Sequence, residues 1–430
     1  MKDKFRQTFR ALSHKNFRLF FIGQCISLVG TWIQQVALSW LIYSLTKSPL
    51  LMGLITFTSS IPALIISPFA GVEIDRVNKY HAMIVVQIVF LIESLILAIL
   101  TILGVIKIWH IVILSVLFGI TASIDMPLRH SFVIYMVEGN KDLGNAISLN
   151  SSSFNLARLV GPAIAGILIA AVGEGACFLI NAISYIAVIA ALFAMDIHLP
   201  PLDNLKKLDV LKELKEGFSY VYESIIIKNV ILFIAIGSFV GMSYQVLMPV
   251  FIKEVLHKDA QTLGFAMSAA GIGALIGALY LAARKSIIGL ENWMLSAAVL
   301  FGLGLVGLKF TSNEFVAFLL LFMTGFGMVV VIASCNTLIQ HCADDDKRGR
   351  VMSIYTMAFM GTAPIGSLCY GAIAEKIGVT NTFLVSGLTI LAFTLLFTRE
   401  LPLFKQEIKA IRRKRIAEQL AEQEKQYSLT

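Results

Sequence analysis

The sequence predicts an all-α membrane protein of twelve transmembrane helices, arranged as two six-helix bundles related by a parallel pseudo-repeat. Three observations predict this: the composition, a succession of apolar runs of spanning length, and a lopsided distribution of Lys and Arg. Of 430 residues, 57% are hydrophobic and 14% charged, and mean hydropathy is +0.81. Soluble domains carry about 25% charged residues, so this chain cannot cover a water-exposed surface.

A spanning helix needs about 20 mostly apolar residues. Such runs fall at 17–45, 51–72, 81–103, 108–136, 145–172 and 175–195, and again at 229–252, 262–283, 287–310, 314–341, 351–376 and 380–399. The first run is too long for the apolar region of a signal peptide. With both termini placed in the cytoplasm, the inner segments hold 28 of the 35 Lys and Arg. The outer loops hold six: Lys47, Lys107, Lys253, Lys258, Lys309 and Lys376. Arg158 is inside a helix. Adding or removing one helix would destroy this asymmetry, so charge supports the count of twelve.

Residues 1–196 form the first predicted bundle and 229–400 the second. Between them, 197–228 reads as a cytoplasmic linker. Leu208, Leu211, Phe218 and Tyr222 share one face of an amphipathic helix there, with Lys212, Glu213, Lys215 and Glu216 on others. A cytoplasmic tail, 401–430, carries Arg412, Arg413, Lys414 and Arg415, suited to anionic inner-leaflet lipid. The bundles repeat each other. Gly144, Ser148, Phe154, Gly161, Gly166 and Gly173 match Gly349, Ser353, Phe359, Gly366, Gly371 and Gly378 at one constant offset. Gly30, Gln34, Gly53 and Ala63-Leu64-Ile65 match Gly241, Gln245, Gly264 and Ala274-Leu275-Ile276 at another. Six helices per repeat insert the same way up, a transporter design with the substrate between the halves at mid-membrane.

Cys25, Cys177, Cys335, Cys342 and Cys369 lie in or beside apolar runs without metal-ligand spacing, and read as packing residues. No metal site is expected. The chain has no G-x-x-x-x-G-K-[ST] loop, so a gradient must drive any uphill transport. No cofactor and no nucleic-acid partner is expected, and the protein reads as a monomer.

The short turn after the second helix reads Gly71-Val72-Glu73-Ile74-Asp75-Arg76-Val77-Asn78-Lys79. A glycine, an acid four residues later and then basic residues resemble the signature loop of the major facilitator superfamily. The resemblance implies a conformational latch of Gly71, Asp75, Arg76 and Lys79 that pairs the halves in the outward-facing state. Charges paired in one state and hydrated in the other make a switch of a few kcal/mol. Asp75 is also suited to the free N–H groups at the start of the eleventh helix. In the fourth helix Asp125 and Arg129 are four apart and can pair; the resemblance extends the latch through them to Lys79. In the fifth helix Ala157, Gly161, Pro162 and Gly166 resemble the superfamily's antiporter motif, with small residues for close approach and a proline that permits a bend. Phe20 to Lys79, Asp125 to Arg129 and Arg348 to Met352 resemble the bacterial branch of enterobactin exporters and macrolide efflux pumps.

Charges inside membrane helices are costly and usually functional. Arg158 shares a stripe with Ser151 and Asn155, and either binds an anionic substrate or neutralises an acid on a neighbouring helix. Glu93 and Asp125 are the candidates for proton coupling. Gln24, Thr31 and Gln34 on the first helix, with Asn155, Arg158, Gln245, Asn336 and Gln340, are candidate substrate contacts, since amides donate and accept without charge. Trp32, Trp40 and Tyr244 either add flat apolar surface to the cavity or, the preferred reading, serve as interface anchors or packing residues. The expected function is secondary active transport rather than catalysis: proton-coupled export of an amphipathic small molecule, siderophore or drug-like, across the bacterial inner membrane. A lipid or lysophospholipid flippase and a non-transporting receptor or scaffold are the alternatives.

Overall fold

The computed structural model describes residues 9–74, 77–137, 142–197, 210–284, 289–344, 347–402 and 405–406, without the side chains of 67–73, 210–214 and 242–243. These residues are helical almost throughout. The first half contains α1 (Lys15–Thr46), α2 (Pro49–Ile74), α3 (Lys79–Ile102) and α4 (Ile108–Phe132). A continuous segment, Leu143–Phe193, then divides at Gly173 into α5 (143–172) and α6 (174–193). Gly173 adopts φ 79° and ψ 172°, which a side chain would resist. Its repeat partner Gly378 makes the same turn, with φ 82° and ψ 158°. Splitting that segment gives twelve long apolar helices among the described residues, the number that hydropathy and charge predict.

The linker contains α7 (Val210–Glu223). It packs on α12 and α8 through the buried Gly217 and Val221, and Glu216 pairs with Arg350 at 3.1 Å. Phe218 and Tyr222 face away, 50% and 76% exposed, a placement suited to a helix lying at a membrane surface. Leu208, the Leu211 side chain and the basic cluster from Arg412 to Arg415 lie outside the described residues. The second half follows: α8 (Ile225–Val250), α9 (Ala260–Ala282), α10 (Leu290–Leu308), α11 (Glu314–Cys342), α12 (Arg348–Ile377) and α13 (Val379–Thr398).

Within each half the same pairings recur: α2 on α4 and α9 on α11, α1 on the α5–α6 unit and α8 on α12. The halves meet chiefly where α2 crosses α12 and α5 crosses α9. Here the repeat's glycines acquire a purpose. A Cβ on Gly371 would stand 3.3 Å from the Gly53 Cα, and one on Gly264 would stand 3.0 Å from the Gly166 Cα. Without side chains, the backbones touch and dispersion contacts close the seam. The two contacts are repeat images of each other, and both lie at the end of the molecule opposite α7.

Candidate functional site

Polar bonds reinforce that closed end. The Tyr43 hydroxyl donates to the Glu254 carboxylate across the halves. Lys253 stacks over the Trp40 ring at 5.1 Å. Glu375 of α12 accepts from the Ser48 hydroxyl at 2.9 Å and the Leu50 amide at 3.2 Å, both at the start of α2. Toward the α7 end, Ser148, Ser151 and Ser152 of α5, Gln340 of α11, and Ser353 and Thr356 of α12 are exposed. The Ser148, Ser152, Ser353 and Thr356 hydroxyls return their hydrogen bonds to their own helices, and the exposed polar side chains of both halves outline a vestibule at that end.

Between the seam and the vestibule lies a narrow, partly open pocket. Arg158 and Pro162 of α5, Trp32 of α1, Tyr244, Gln245 and Met248 of α8, and Met267 and Gly271 of α9 line it. Both halves contribute. Gly161 makes room for Trp32, because a Cβ there would stand 2.5 Å from the Trp32 Cβ. The neighbouring Ala157 and Ala165 are buried. The helix continues through Pro162, and its break comes only at Gly173.

The eight predicted substrate contacts therefore separate. Arg158 and Gln245 meet in the pocket. Gln24, Thr31 and Gln34 turn into the first half, where fixed side chains occupy them. With its oxygen toward the guanidinium, Gln24 accepts from Arg129 at 2.7 Å. Thr31 shares a hydrogen bond with the Tyr185 hydroxyl at 3.2 Å. Asn155, Asn336 and Gln340 lie toward the vestibule: Asn155 donates to the Ser151 carbonyl, and Gln340 donates to Asn336. Trp32 and Tyr244 line the pocket, Tyr244 while buried among its neighbours.

The interior of the first half holds a buried polar network. Glu93, 1% exposed, accepts from Gln34 Nε2 at 3.0 and 3.3 Å and from the Ser94 hydroxyl at 3.2 Å. Asn181, fully buried, donates to Gln34 Oε1 at 2.8 Å and Ser94 Oγ at 3.3 Å. Nearer the α7 end, Asp125 pairs with Arg129 and accepts from Gln87 at 3.0 Å. Lys79 lies over the Tyr135 ring at 5.7 Å. Of the latch, Asp75 and Arg76 fall outside the described residues, as does the surroundings of Gly71.

Two halves, a seam at one end, a vestibule at the other and a pocket between them make the architecture of an alternating-access carrier. A sequence model of the transmembrane secretion effector family matches residues 6–428. The chain belongs to that family of major facilitator transporters. It is a multi-pass membrane transporter, not an enzyme. Family relatives include the staphyloferrin A transporter of Staphylococcus aureus, 27% identical over 88% of this chain and 95% of that protein. Macrolide efflux protein A of Streptococcus pyogenes is 23% identical over 88% and 94%. Among solved structures, the peptide transporter POT superposes with a TM-score of 0.72 over 91% of this chain and 95% of that one, at 12% identity, a likeness of fold.

Proposed function

We propose that this transporter is a proton-coupled exporter of an amphipathic small molecule, siderophore or drug-like, in the bacterial cytoplasmic membrane. The observation that carries the reading is the pocket shared by both halves, sealed on one side and reached from the other. The siderophore and macrolide cargoes named for relatives fit that class. The charge asymmetry supports cytoplasmic termini and a cytoplasmic linker, which makes the conformation described here inward-facing.

Alternating access then has identifiable parts. The seam of α2 with α12 and α5 with α9 parts to release cargo outside, while Gly71, Asp75, Arg76 and Lys79 latch the opposite end. Asp75→Asn slows turnover and leaves equilibrium binding intact. Glu93 carries the coupling proton: its partners are one neutral amide, Gln34, and the Ser94 hydroxyl, and among the described residues no cation pairs with it. Asp125, held by Arg129, serves the latch. The deciding experiment uses the purified chain in proteoliposomes loaded with a candidate siderophore or macrolide. Flux driven by an imposed pH gradient and abolished by a protonophore is expected. Flux indifferent to the gradient refutes the coupling, and a periplasmic C-terminal reporter refutes the orientation.

A further inference from the structure

We infer that the central pocket is an anion receptor: its occupant presents an oxyanion, such as a carboxylate, to Arg158 and an apolar body to Trp32, Met248 and Met267. The inference deepens the transport reading and rests on it for the claim that the occupant is cargo.

From sequence, Arg158 faces either a substrate anion or a fixed acid. Among the described residues no acid is paired with it. Glu93 is engaged by Gln34 and Ser94, and Asp125 by Arg129 and Gln87. Glu254 is held by Tyr43 and Glu375 by Ser48, both at the sealed end. No hydrogen bond or ion pair joins Arg158 to another described residue. Yet Arg158 lies half-way along the 143–172 helix, at the depth where an uncompensated guanidinium is most expensive. A charge kept there beside the Tyr244 phenol, with no hydrogen-bond or ion-pair partner among the described residues, is accounted for by a partner that comes and goes.

The walls specify the rest of the ligand. Gln245 offers a neutral donor and acceptor beside the guanidinium, and among the described residues its amide donates to the Tyr244 hydroxyl alone, at 3.4 Å. Trp32 supplies a flat face, Met248 and Met267 polarisable thioethers that adapt to irregular shapes, and Ala266, Ala270 and Leu321 hydrocarbon. A planar fork binds two oxygens of one anion at once. The combination fits an organic anion with an aromatic or aliphatic body. A soluble metabolite and an anionic lipid headgroup present the same chemistry, and the test separates them.

The probes are 4-phenylbutyrate, its neutral amide 4-phenylbutanamide and the cation 4-phenylbutylamine. Binding to the full chain in phosphatidylcholine nanodiscs is followed by tryptophan fluorescence and by Tm. The anion is expected to bind about tenfold tighter than the amide or amine, with Arg158→Gln erasing the preference and Arg158→Lys keeping part of it. Arg158→Gln is expected to melt with the wild type, because no acid is stranded. Equal affinities for the three probes, or no anion binding to wild type, overturn the inference without any variant. So does a preference that survives Arg158→Gln, or a lowered Tm with the preference unchanged. Arg158-dependent stabilisation in phosphatidylglycerol nanodiscs, competed by 4-phenylbutyrate, identifies a lipid headgroup as the anion and supports the receptor. Proton-driven flux is measured separately. Anion preference without such flux removes the transport reading alone, and such flux without anion preference removes this inference alone.

Discussion

At equivalent positions of the repeat, Gly30 of α1 lies against the Asn181 and Ser184 side chains, whereas Gly241 of α8 lies against the Phe301 ring and the Met328 sulfur. The same divergence appears four residues later. Gln34 turns inward to Glu93 and Asn181, while its partner Gln245 lines the central pocket. The second half is more apolar at the equivalent place, with Met294, Phe301 and Cys335 buried, and its buried polar groups, Glu291, Thr324 and Ser334 among them, do not join into such a network. The polar centre of the first half is not required by the fold. Buried polar groups cost stability unless every one is paired, so a network of this kind marks a task. On this reading the first half couples and the pocket beside Arg158 recognises.

The most severe way to break the comparison is Glu93→Gln. Glutamine keeps the size and hydrogen-bonding capacity of the side chain and removes its ability to carry a proton. Gradient-driven transport in proteoliposomes should fall to background, while exchange of labelled for unlabelled cargo across the membrane survives. Loss of exchange as well would show that Glu93 holds the fold rather than the proton.

Paired substitutions then sharpen it. Gln34→Leu leaves Glu93 and Asn181 each short of a partner, and is expected to cost about 1–3 kcal/mol of stability. Gln245→Leu breaks a long, 3.4 Å contact at the pocket wall, and should stay within about 0.5 kcal/mol. Melting curves of the two proteins in the same detergent decide. Equal losses would mean that the halves are built alike and that the asymmetry has no energetic content.

The fold was legible because spanning length, charge bias and the glycine repeat are each written locally in the chain. Gly173 and Gly378, matched by offset, make the same turn, and Gly53 and Gly264, also matched by offset, sit at equivalent inter-half contacts. The site was legible only in part, because an amide on a helix does not announce which way it faces. Gln24, Thr31, Gln34 and Gln245 looked alike as a polar stripe, and α1 rotates its three into the bundle. Asn181 and Gln87 carried a usable signal, a lone amide deep in an apolar helix, and were passed over. Glu254 and Glu375 carried none, since a carboxylate near a helix end is ordinary. Trp32 and Tyr244 were named for bulk; their place in the pocket depends on Gly161 and on how the halves meet.

Where the halves agree, at the seam, substitutions should act symmetrically. A Cβ on Gly53 would collide with the Ser367 carbonyl, and one on Gly264 with the Pro162 carbonyl. Gly53→Val and Gly264→Val are each expected to destabilise the sealed end by about 1–3 kcal/mol and move the population toward the opposite state. Spin labels across the α2–α12 seam, read by pulsed electron resonance distances, measure the shift. A large effect at one glycine and none at the other would break the pseudo-symmetry of the hinge.

The smallest effect is expected at the polar bonds beside that seam. Glu375 accepts from Ser48 and from the Leu50 amide in an exposed position. Water competes for both donors there, and the carboxylate is well hydrated once released, so the net gain is modest. Its placement at the first turn of α2 adds a favourable interaction with the free N–H groups, screened by salt. Glu375→Gln keeps an acceptor and removes the charge, and is therefore expected to shift the population balance read by the same spin labels by less than about 1 kcal/mol, less still in high salt. If Glu375→Gln opens the end as far as Gly53→Val does, charge rather than backbone contact holds the seam. The closed state would then weaken with ionic strength, which a seam closed by glycine contacts does not.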